Sequence, residues 1–403
     1  MRTKVSEALL QAKYREALAE HGKGELDKAE ALYREILQAM PESFHALHML
    51  GVLLGQRNDL ARSERLLAEA VRIEPKAATA HANLGYTLGL RGRTSEAMAS
   101  YERALSLQPD NTRALKGRGL ILCQLRRPEE ALACYEHLLR LEPDYADGWI
   151  MKGEAFSQLR RNEESIASYR KALEFDNVSN PDKVRYMLAA LDGEAVPDAA
   201  PLEYIREVFD RYADTFDRHL VVRLRYRAPE LLMEQLRPAL PEDTIDVLDL
   251  GCGTGLCGPL LKPLARSLTG LDASPKMLEA ASKKRLYDIL IPGEITAWLA
   301  AQHRSFDLIV STDVFIYIGD LAPVFAGARR ALRAGGLFAF STEAGEGAGV
   351  RLQKSLRYAH SATYLERLAA EGGWRTESLT RCVLREERRQ DVAGFLVVLR
   401  RGA

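Results

Sequence analysis

The sequence predicts a multidomain chain in which an all-helical repeat array precedes an α/β domain with a terminal antiparallel hairpin. The array is indicated by residues that recur every 34 positions, among them Pro41, Pro75, Pro109 and Pro143. The α/β domain is indicated by a short apolar run at 247–250 that leads into three closely spaced glycines. Two extended runs near the end of the sequence indicate the hairpin.

The composition indicates a globular protein without an electrostatic attraction to polyanions. Of the 403 residues, 47% are hydrophobic and 28% are charged, and the 56 Lys and Arg balance the 56 Asp and Glu. This length suits about two or three domains of roughly 150 residues. The charge balance gives no bulk argument for binding nucleic acid or an anionic membrane.

No feature of the sequence predicts export, membrane insertion or a metal site. The first residues are charged and lack a long apolar stretch, and no run of 18 apolar residues occurs. The five cysteines are scattered, without Cys-x-x-Cys spacing. His45 and His48 are one turn apart, but no third ligand is near, which favours packing or surface roles. We therefore expect a cytoplasmic protein that binds no metal.

Three further columns share the 34-residue period of the prolines. Small residues would allow the two helices of one repeat to pack closely, and aromatic residues would wedge between neighbouring repeats. The prolines would end the second helix, because proline lacks a donor and clashes with the preceding turn. In the edge repeats Ala17 replaces the glycine and Asn177 the proline. The columns are Gly51, Gly85, Gly119 and Gly153; Ala29, Ser63, Ala97, Ala131 and Ser165; and Tyr33, Leu67, Tyr101, Tyr135 and Tyr169.

This pattern resembles the tetratricopeptide repeat. The resemblance implies about five repeats within residues 1–179, stacked into a solenoid with a concave groove. A protein or peptide is the expected occupant of the groove, and a spacer or brace for the following domain is the alternative. Arg113 and Lys116 lie one turn apart and could grip a carboxylate, although a solvated charged face is the simpler explanation of such a pair.

A change of composition marks the connection between the two parts. Residues 180–204 contain Pro181, Pro197 and Pro201 around one short amphipathic run, which predicts a linker with a helix in it. The second domain is then expected at 205–403. A long helix is predicted over 203–235 from its apolar periodicity.

The stretch 247–255 predicts a strand, a glycine turn and the start of a helix. Gly251, Gly253 and Gly255 allow the backbone to approach a ligand closely, because no Cβ stands in the way. The helix is predicted over 256–266. Its first amides would carry about half a positive charge, which suits a carboxylate.

The second strand, predicted at 267–272, ends in an acidic residue. A carboxylate at the position of Asp272 can accept both hydroxyls of a ribose. Two extended runs close the chain around a polar turn at 385–391, and so short a loop requires them to be antiparallel. The further strands are predicted at 289–294, 306–314, 335–343, 376–384 and 392–400.

A β/α alternation that closes with a hairpin resembles the class I S-adenosylmethionine-dependent methyltransferase fold, which is Rossmann-like, over residues 205–401. The alternative, an NAD-dependent oxidoreductase, would continue the alternation and carry a third glycine where Leu256 stands. The segments 284–294, 317–321 and 357–360 also resemble a bacterial group of predicted methyltransferases that carry these same repeats.

The resemblance implies S-adenosylmethionine as the cofactor. Asp249 would hold the methionine amino group or orient the glycine loop, Asp272 would bind the ribose, and Glu294 would recognise the adenine amino group. The segment 208–217 would cover the pocket, with Tyr212 near the cofactor's carboxylate. The complete predicted cofactor-binding set is Tyr212, Asp249, Gly251, Cys252, Gly253, Gly255, Leu256, Asp272, Ala273, Met277, Glu294, Ile295 and Asp313.

Three side chains are predicted to act near the methyl-transfer centre, beside Asp313 at the end of the fourth strand. Phe315 or Tyr317 could attract a sulfonium through its ring. His360 has the most suitable pKa for a general base, and Glu343, at the end of the fifth strand, is the second candidate. A helix-cap or core role is the alternative for His360, and His219 is expected to be an ordinary surface residue.

We therefore expect an S-adenosylmethionine-dependent methyltransferase whose repeats recruit a protein partner or substrate. The alternative is a scaffold whose cofactor domain binds its ligand without catalysis. The sequence identifies neither the methylated atom nor whether the acceptor is a protein or a small molecule.

Overall fold

The computed structural model describes residues 2–387 and 389–402, with side chains for residues 8–387 and 389–402. It divides into two compact units, Met1–Ser179 and Asn180–Ala403. In the described chain, no helix combines the length and the apolar character that crossing a membrane requires.

The first unit contains, in its described part, ten helices that pair in chain order. Each odd-numbered helix packs against the helix that follows it, and each pair packs against the next pair. This arrangement confirms the predicted helical repeat array. The helices are α1 (Arg2–Gly22), α2 (Leu26–Ala39), α3 (Phe44–Gln56), α4 (Leu60–Ile73), α5 (Ala78–Leu90), α6 (Thr94–Leu107), α7 (Thr112–Gln124), α8 (Pro128–Leu141), α9 (Ala146–Gln158) and α10 (Asn162–Ala172).

The glycine column makes room for the aromatic column. A Cβ on Gly119 would lie 2.4 Å from Cε1 of Tyr135 in the same repeat. The ring of Tyr101 likewise leaves no room for a Cβ on Gly85 of its own repeat or on Gly117 of the next. The aromatic residue therefore packs within its own repeat as well as against the following one, and the sequence predicted only the second contact.

The small-residue column lies where the two helices of a repeat approach most closely. The hydroxyl of Ser63 donates to the carbonyl of Gly51 at 2.7 Å, and that of Ser165 donates to the carbonyl of Gly153 at 2.8 Å. Each of these serines is fully buried. A larger side chain would separate the helices and break the contact.

We expect Gly119→Ala to destabilise the first unit by about 1–3 kcal/mol, the usual cost of overpacking a core. The ring of Tyr135, which the new methyl group would meet, is buried and cannot turn away into solvent. Gly89→Ala is the matched control, because its Cβ would meet neighbours at 3.8 and 4.0 Å. This control should gain about 0.5–1 kcal/mol. Hydrogen exchange of α5–α8 in the full chain measures both, and equal protection in the two variants would contradict the packing.

The second unit is built on one nine-stranded sheet, in which seven strands follow the order β3-β2-β1-β4-β5-β7-β6. Of the remaining two strands, β9 pairs with β5, and β8 pairs with β9. The pairs β1–β2, β2–β3, β1–β4 and β4–β5 are parallel, and β5–β9 and β8–β9 are antiparallel. The alternating sheet with a terminal hairpin is thus confirmed. The strands are β1 (Ile245–Leu250), β2 (Ala265–Asp272), β3 (Ile289–Pro292), β4 (Phe306–Ser311), β5 (Leu332–Ala344), β6 (Val350–Leu352), β7 (Tyr358–His360), β8 (Trp374–Glu387) and β9 (Gln390–Arg401).

Both faces of the sheet are covered. On β1, Val247 belongs to a core shared with α14 and α15, and the adjacent Leu248 belongs to a core shared with α17, α18 and α19. A strand buried on both faces is rich in apolar residues, and in β1 only Asp246 and Asp249 are polar. The helices are α11 (Pro181–Asp192), α12 (Leu202–Tyr212), α13 (Phe216–Arg218), α14 (Ala228–Leu236), α15 (Gly258–Leu261), α16 (Pro275–Lys284), α17 (Ile295–Ala300), α18 (Ala322–Ala331) and α19 (Ala362–Glu371).

The prediction of a helix over 256–266 was wrong in its length. Only the four residues of α15 are α-helical, followed by a 3₁₀ turn at Lys262–Leu264. Pro263 explains the early end, because proline lacks the donor that a continued helix needs and clashes with the preceding turn. So short a helix has little macrodipole, so the expected attraction of a carboxylate to its first amides is not supported.

Two further segments differ from the prediction. The long helix expected at 203–235 is broken into α12, α13, a π-helical turn at His219–Arg223, and α14. The hairpin of β6 and β7 was not predicted, and the terminal hairpin extends through the expected polar turn, where Arg385 pairs with Val392.

Residues 180–204 belong to the second compact unit. Asn180 caps α11 by accepting a hydrogen bond from the amide of Lys183 at 3.0 Å. The buried Tyr186 of this helix donates to the carbonyl of Leu356 at 2.8 Å and its ring lies against Tyr358. The helix is thus anchored to the β6–β7 hairpin.

Candidate functional site

A cavity of about 680 Å³ lies at the carboxyl ends of β1, β2 and β4. This edge is where open α/β sheets bind their ligands. The glycine turn after β1 forms one side of the cavity, and the segment from α12 to α14 forms another. The predicted residues that line it are Tyr212, Gly251, Cys252, Gly253, Leu256, Asp272, Ala273, Glu294, Ile295, Asp313 and Tyr317.

The three glycines of the turn all have positive φ, at 69°, 54° and 83° for Gly251, Gly253 and Gly255. A Cβ on Gly251 would lie 2.3 Å from Val314, and one on Gly255 would lie 2.8 Å from Tyr287. A Cβ on Gly253 would meet only Phe216, at 3.9 Å. Gly251 and Gly255 therefore serve packing below the turn, and Gly253 borders open space in the cavity.

Asp272 joins the end of β2 to the glycine turn. Its Oδ2 accepts from the amide of Gly253 and its Oδ1 from the amide of Ser274, both at 2.8 Å. Burial raises the pKa of Asp272, and these backbone donors oppose the rise. Ser274 also caps α16 by accepting from the amide of Met277, whose buried side chain lies outside the cavity lining.

Asp249 lies beneath the turn rather than on the cavity wall. It is 1% exposed, and its Oδ2 accepts a hydrogen bond of 2.7 Å from the hydroxyl of Tyr287. Burial raises its pKa to about 7, and the bond from Tyr287 opposes the rise. Of the two roles predicted for Asp249, orienting the loop is the one that this position favours. Tyr287 was not predicted as a site residue, although its ring also leaves no room for a Cβ on Gly255.

Glu294 lines the cavity next to Ile295, but its carboxylate is engaged. The two oxygens accept from the amides of Thr296 at 2.7 Å and Ala297 at 2.6 Å, which caps α17. Each oxygen keeps a further lone pair for a ligand donor. The structure thus leaves the predicted adenine contact open while giving Glu294 a second, structural task.

Aromatic side chains cover the cavity opposite the sheet. The ring of Phe209 meets the ring of Tyr317 edge to face at 5.5 Å, and Phe216 lies over Gly253. The hydroxyl of Tyr212 bonds Nδ1 of His219, and both residues line the cavity. His219 is therefore part of the site, which corrects its assignment as an ordinary surface residue.

A cluster of ion pairs forms the end of the cavity beside Asp313. Arg385 donates to Asp313, Glu343 and Glu387, through a different nitrogen atom in each case. Arg357 contacts Glu343 at 2.8 Å and Glu387 at 2.7 Å. Burial acts to raise the pKa of Glu387, but the bonds from Arg357 and Arg385 lower it to about 2.

Arg385, Arg357 and Glu387 were not predicted as site residues. Strand alternation could not reveal Arg385, because a register shift between Val383 and Arg385 buries Leu384 and Arg385 in succession. The surrounding sequence is rich in charge and indicates a solvated turn. The only available signal was the dense mixture of arginine and glutamate at 385–389.

The structure places the two predicted base candidates, Glu343 and His360, outside the cavity lining. Glu343 is buried outside the cavity lining, paired with both arginines. His360 is fully buried. Its Nδ1 bonds the hydroxyl of Thr342 at 2.6 Å, and its Nε2 lies 3.0 Å from the carbonyl of Ile318. Burial lowers the pKa of His360 to about 4. Because both ring nitrogens have hydrogen-bond partners within the protein, His360 stabilises the core.

The charged and histidine pairs of the first unit have local partners. Lys116 donates to the hydroxyl of Tyr145 and lies 5.1 Å from the centre of that ring. Nε2 of His48 lies 2.8 Å from the amide nitrogen of Asn83. Among the residues that the structure describes, no group of three or more His, Cys, Asp or Glu could hold a metal ion.

Comparison with known families identifies both units. Residues 248–340 match the family model of the methyltransferase domain, and residues 48–112 and 116–180 match that of the tetratricopeptide repeat. The chain therefore contains tetratricopeptide repeats followed by a Rossmann-like methyltransferase domain. These matches confirm the predicted repeats and the predicted methyltransferase domain.

Three curated proteins show the range of similarity. A malonyl-[acyl-carrier protein] O-methyltransferase of Erwinia pyrifoliae is 30% identical over 149 residues, 37% of this chain and 55% of that protein. Methyltransferase-like protein 27 of Homo sapiens is 39% identical over 27% of this chain and 43% of that protein. A ubiquinone biosynthesis O-methyltransferase of Chelativorans sp. is 33% identical over 26% and 43%. The chain spans about half the length of these relatives.

Proposed function

We propose that the second unit binds S-adenosylmethionine at the glycine turn and transfers its methyl group to an acceptor in the adjoining cavity. The observation that carries this proposal is the junction of Gly253 and Asp272 at the cavity wall. There the backbone of Gly253, which carries no side chain, lies beside the carboxylate of Asp272, at the carboxyl ends of the neighbouring parallel strands β1 and β2. This combination suits a ligand that carries a ribose without a phosphate.

The residues present fit this cofactor. Each oxygen of Asp272 accepts one backbone amide and has a further lone pair for a ribose hydroxyl. Glu294 and Ile295, after β3, would border the adenine, and the backbone of Gly251 and Gly253 would lie under the methionine moiety. The cofactor supplies an electrophilic methyl group on a sulfonium. No strong acid or metal is then needed to activate it.

The contribution of the chain is to position the acceptor and to exclude water. Aligning two reactants can be worth about 7–11 kcal/mol of the barrier. The apolar and aromatic residues of the segment from α12 to α14 form the wall that an acceptor would contact, including Phe209, Leu220 and Leu224. Tyr317, in the turn after β4, lines the same cavity, where its ring would face a sulfonium.

The first unit is proposed to bind a protein or peptide partner, by analogy with the repeat family that it matches. The partner is either the methylated substrate or a protein that localises the enzyme. A cytoplasmic location is part of the same proposal. The alternative, a scaffold that binds the cofactor without catalysis, differs in one measurable respect, because it transfers no methyl group.

The test of the cofactor site is calorimetric titration of the full chain with S-adenosylmethionine. Asp272→Ala should weaken binding by about 10- to 150-fold, since a hydrogen bond to a charged group is worth roughly 1.5–3 kcal/mol. Asp288→Ala is the matched control. Asp288 also accepts a backbone amide, from Leu268 at 2.8 Å, but lies outside the cavity lining, so this variant should bind like the wild type.

Equal affinity of the Asp272 variant and the wild type would defeat the site assignment. Binding of NADH instead, visible by fluorescence, would support an oxidoreductase. Incubating the enzyme with a cell lysate and labelled S-adenosylmethionine, then separating proteins from metabolites, decides the acceptor class. Cofactor binding without any label transfer would leave the scaffold alternative.

A further inference from the structure

The cavity holds a second set of polar groups, away from the cofactor half, and this inference rests on the proposed function. Asp313 follows β4 and lines the cavity with its backbone in the left-handed region, at φ 60°. Its amide donates to the hydroxyl of Ser341 at 2.8 Å. Non-glycine residues rarely adopt this conformation, and such residues are frequent at functional sites. Here it directs the carboxylate to the junction of the cavity and the ion-pair cluster.

Only one oxygen of Asp313 is occupied. Oδ1 accepts from Arg385, and within residues 8–387 and 389–402 no donor bonds Oδ2. The hydroxyl of Tyr317, also on the lining, has no hydrogen-bond partner in the same part of the chain. The cavity thus offers one carboxylate oxygen and one phenol hydroxyl to a ligand, next to walls that are largely apolar.

The cluster behind Asp313 is not built to receive an anion. Each nitrogen of Arg385 already donates to a different carboxylate, and Arg357 contacts two of the same three. Three carboxylates face two guanidinium groups, so the cluster is formally one charge negative. Arg223, the other arginine on the lining, is solvent-exposed, where water and salt screen its charge.

We propose that the methyl acceptor is a largely apolar molecule that presents an uncharged hydroxyl group to Oδ2 of Asp313 and the hydroxyl of Tyr317. A carboxylate acceptor would be repelled by this formally negative cluster. A protonated amine has no lone pair to receive a methyl group. A neutral hydroxyl satisfies both groups, because it donates to the carboxylate and accepts from the phenol.

The reaction balances with the groups named. The acceptor O–H bond breaks and its proton passes to Oδ2 of Asp313. The oxygen lone pair forms the new O–CH₃ bond, and the S–CH₃ bond of the cofactor breaks with its electron pair left on sulfur. The products are a methyl ether, a thioether and a protonated Asp313, which then loses its proton to solvent.

The test compares three probes of one shape in the presence of saturating S-adenosylhomocysteine: 4-propylphenol, 4-propylbenzoate and 4-propylbenzylamine. By calorimetry on the full chain, the phenol should bind at least about tenfold more tightly than the benzoate, since a buried charge without a partner is costly. Asp313→Asn should reduce this preference by about tenfold, because it removes the negative charge. Asparagine also tolerates positive φ, so the backbone is preserved.

Asp320→Asn is the matched control. Asp320 is exposed and lies outside the cavity lining, where it accepts from the amide of Ala322, so this variant should keep the wild-type preference. The inference is overturned if the benzoate or the benzylamine binds as tightly as the phenol, or if Asp313→Asn leaves the preference unchanged. Failure of S-adenosylhomocysteine itself to bind would instead refute the proposed function, so the two failures are distinguishable.

Discussion

Replacing Arg385 by methionine is expected to lower the free energy of unfolding of the second unit by about 3–5 kcal/mol, the usual effect of removing one partner from a buried ion pair. The Arg385 side chain is 1% exposed and pairs with three carboxylates. Glu343, at 4% exposure, would lose its closest cation. Burial already raises the pKa of Glu343 against the opposing effect of Arg385, so Glu343 would take up a proton more readily in the variant.

The measurement is hydrogen exchange of the amides of β5 and β9 against denaturant, which is independent of the first unit. Arg381→Met, on the same strand but exposed, is the matched control and should change stability by less than about 0.5 kcal/mol. Adding Glu343→Gln to Arg385→Met should restore part of the loss, because it removes a buried charge that has lost one of its two cationic partners. A loss below about 1 kcal/mol for Arg385→Met would show that the cluster is not buried as described.

The second large effect concerns Asp249. Its pKa rises from an ordinary value of 3.8 to about 7, so the folded state holds this proton more tightly than the unfolded state. Below pH 4 both states are protonated and burial of the carboxyl costs little. As the pH rises from about 4 to about 7 the unfolded state ionises first, and stability falls. At about 1.4 kcal/mol per pKa unit, the total loss is about 4 kcal/mol.

The readout is the difference in unfolding free energy between the wild type and Asp249→Asn, because the titration of groups that do not interact with Asp249 cancels in this difference. The wild type should lose about 4 kcal/mol relative to the variant between pH 4 and pH 8. Asparagine can still accept from Tyr287, so the local packing is kept. Asp243→Asn, at an exposed position just before β1, should show no such change. A constant difference across this range would mean that Asp249 is ionised throughout.

The repeat array could be predicted almost completely from the sequence, because its period forces the same physical constraint to recur. Each glycine faces a ring or a leucine side chain, as Gly119 faces Tyr135 and Gly51 faces Leu67. The central parallel strands β1 and β4 were also predictable, since strands buried on both faces are rich in apolar residues. The breaks after α12 and within 256–266 were missed, because helical periodicity persists through segments where proline or packing interrupts the helix.

The residues proposed to bind the cofactor could be predicted from the sequence, because they directly follow the ends of predicted strands. Gly253 and Asp272 meet as the motif predicts. The acceptor half was not accessible, because it joins residues more than 70 positions apart, as in the pair of Asp313 and Arg385. His360 was a reasonable base by its ordinary pKa, but its burial behind Thr342 could only be seen once β7 was placed beside β5.

The walls of the cavity come from separate stretches of the polypeptide. The residues proposed to contact the ribose and the methionine moiety lie between 247 and 274, the facing wall lies between 199 and 226, and β8 contributes a charged end. Mutations in the latter stretches can reshape what is methylated while the means of methylation is untouched. Transplanting residues 199–226 between relatives of this protein is therefore a direct test of how far acceptor preference depends on this wall. Cofactor affinity should be measured alongside, because Tyr212 and Phe216 of the same stretch border the proposed cofactor site.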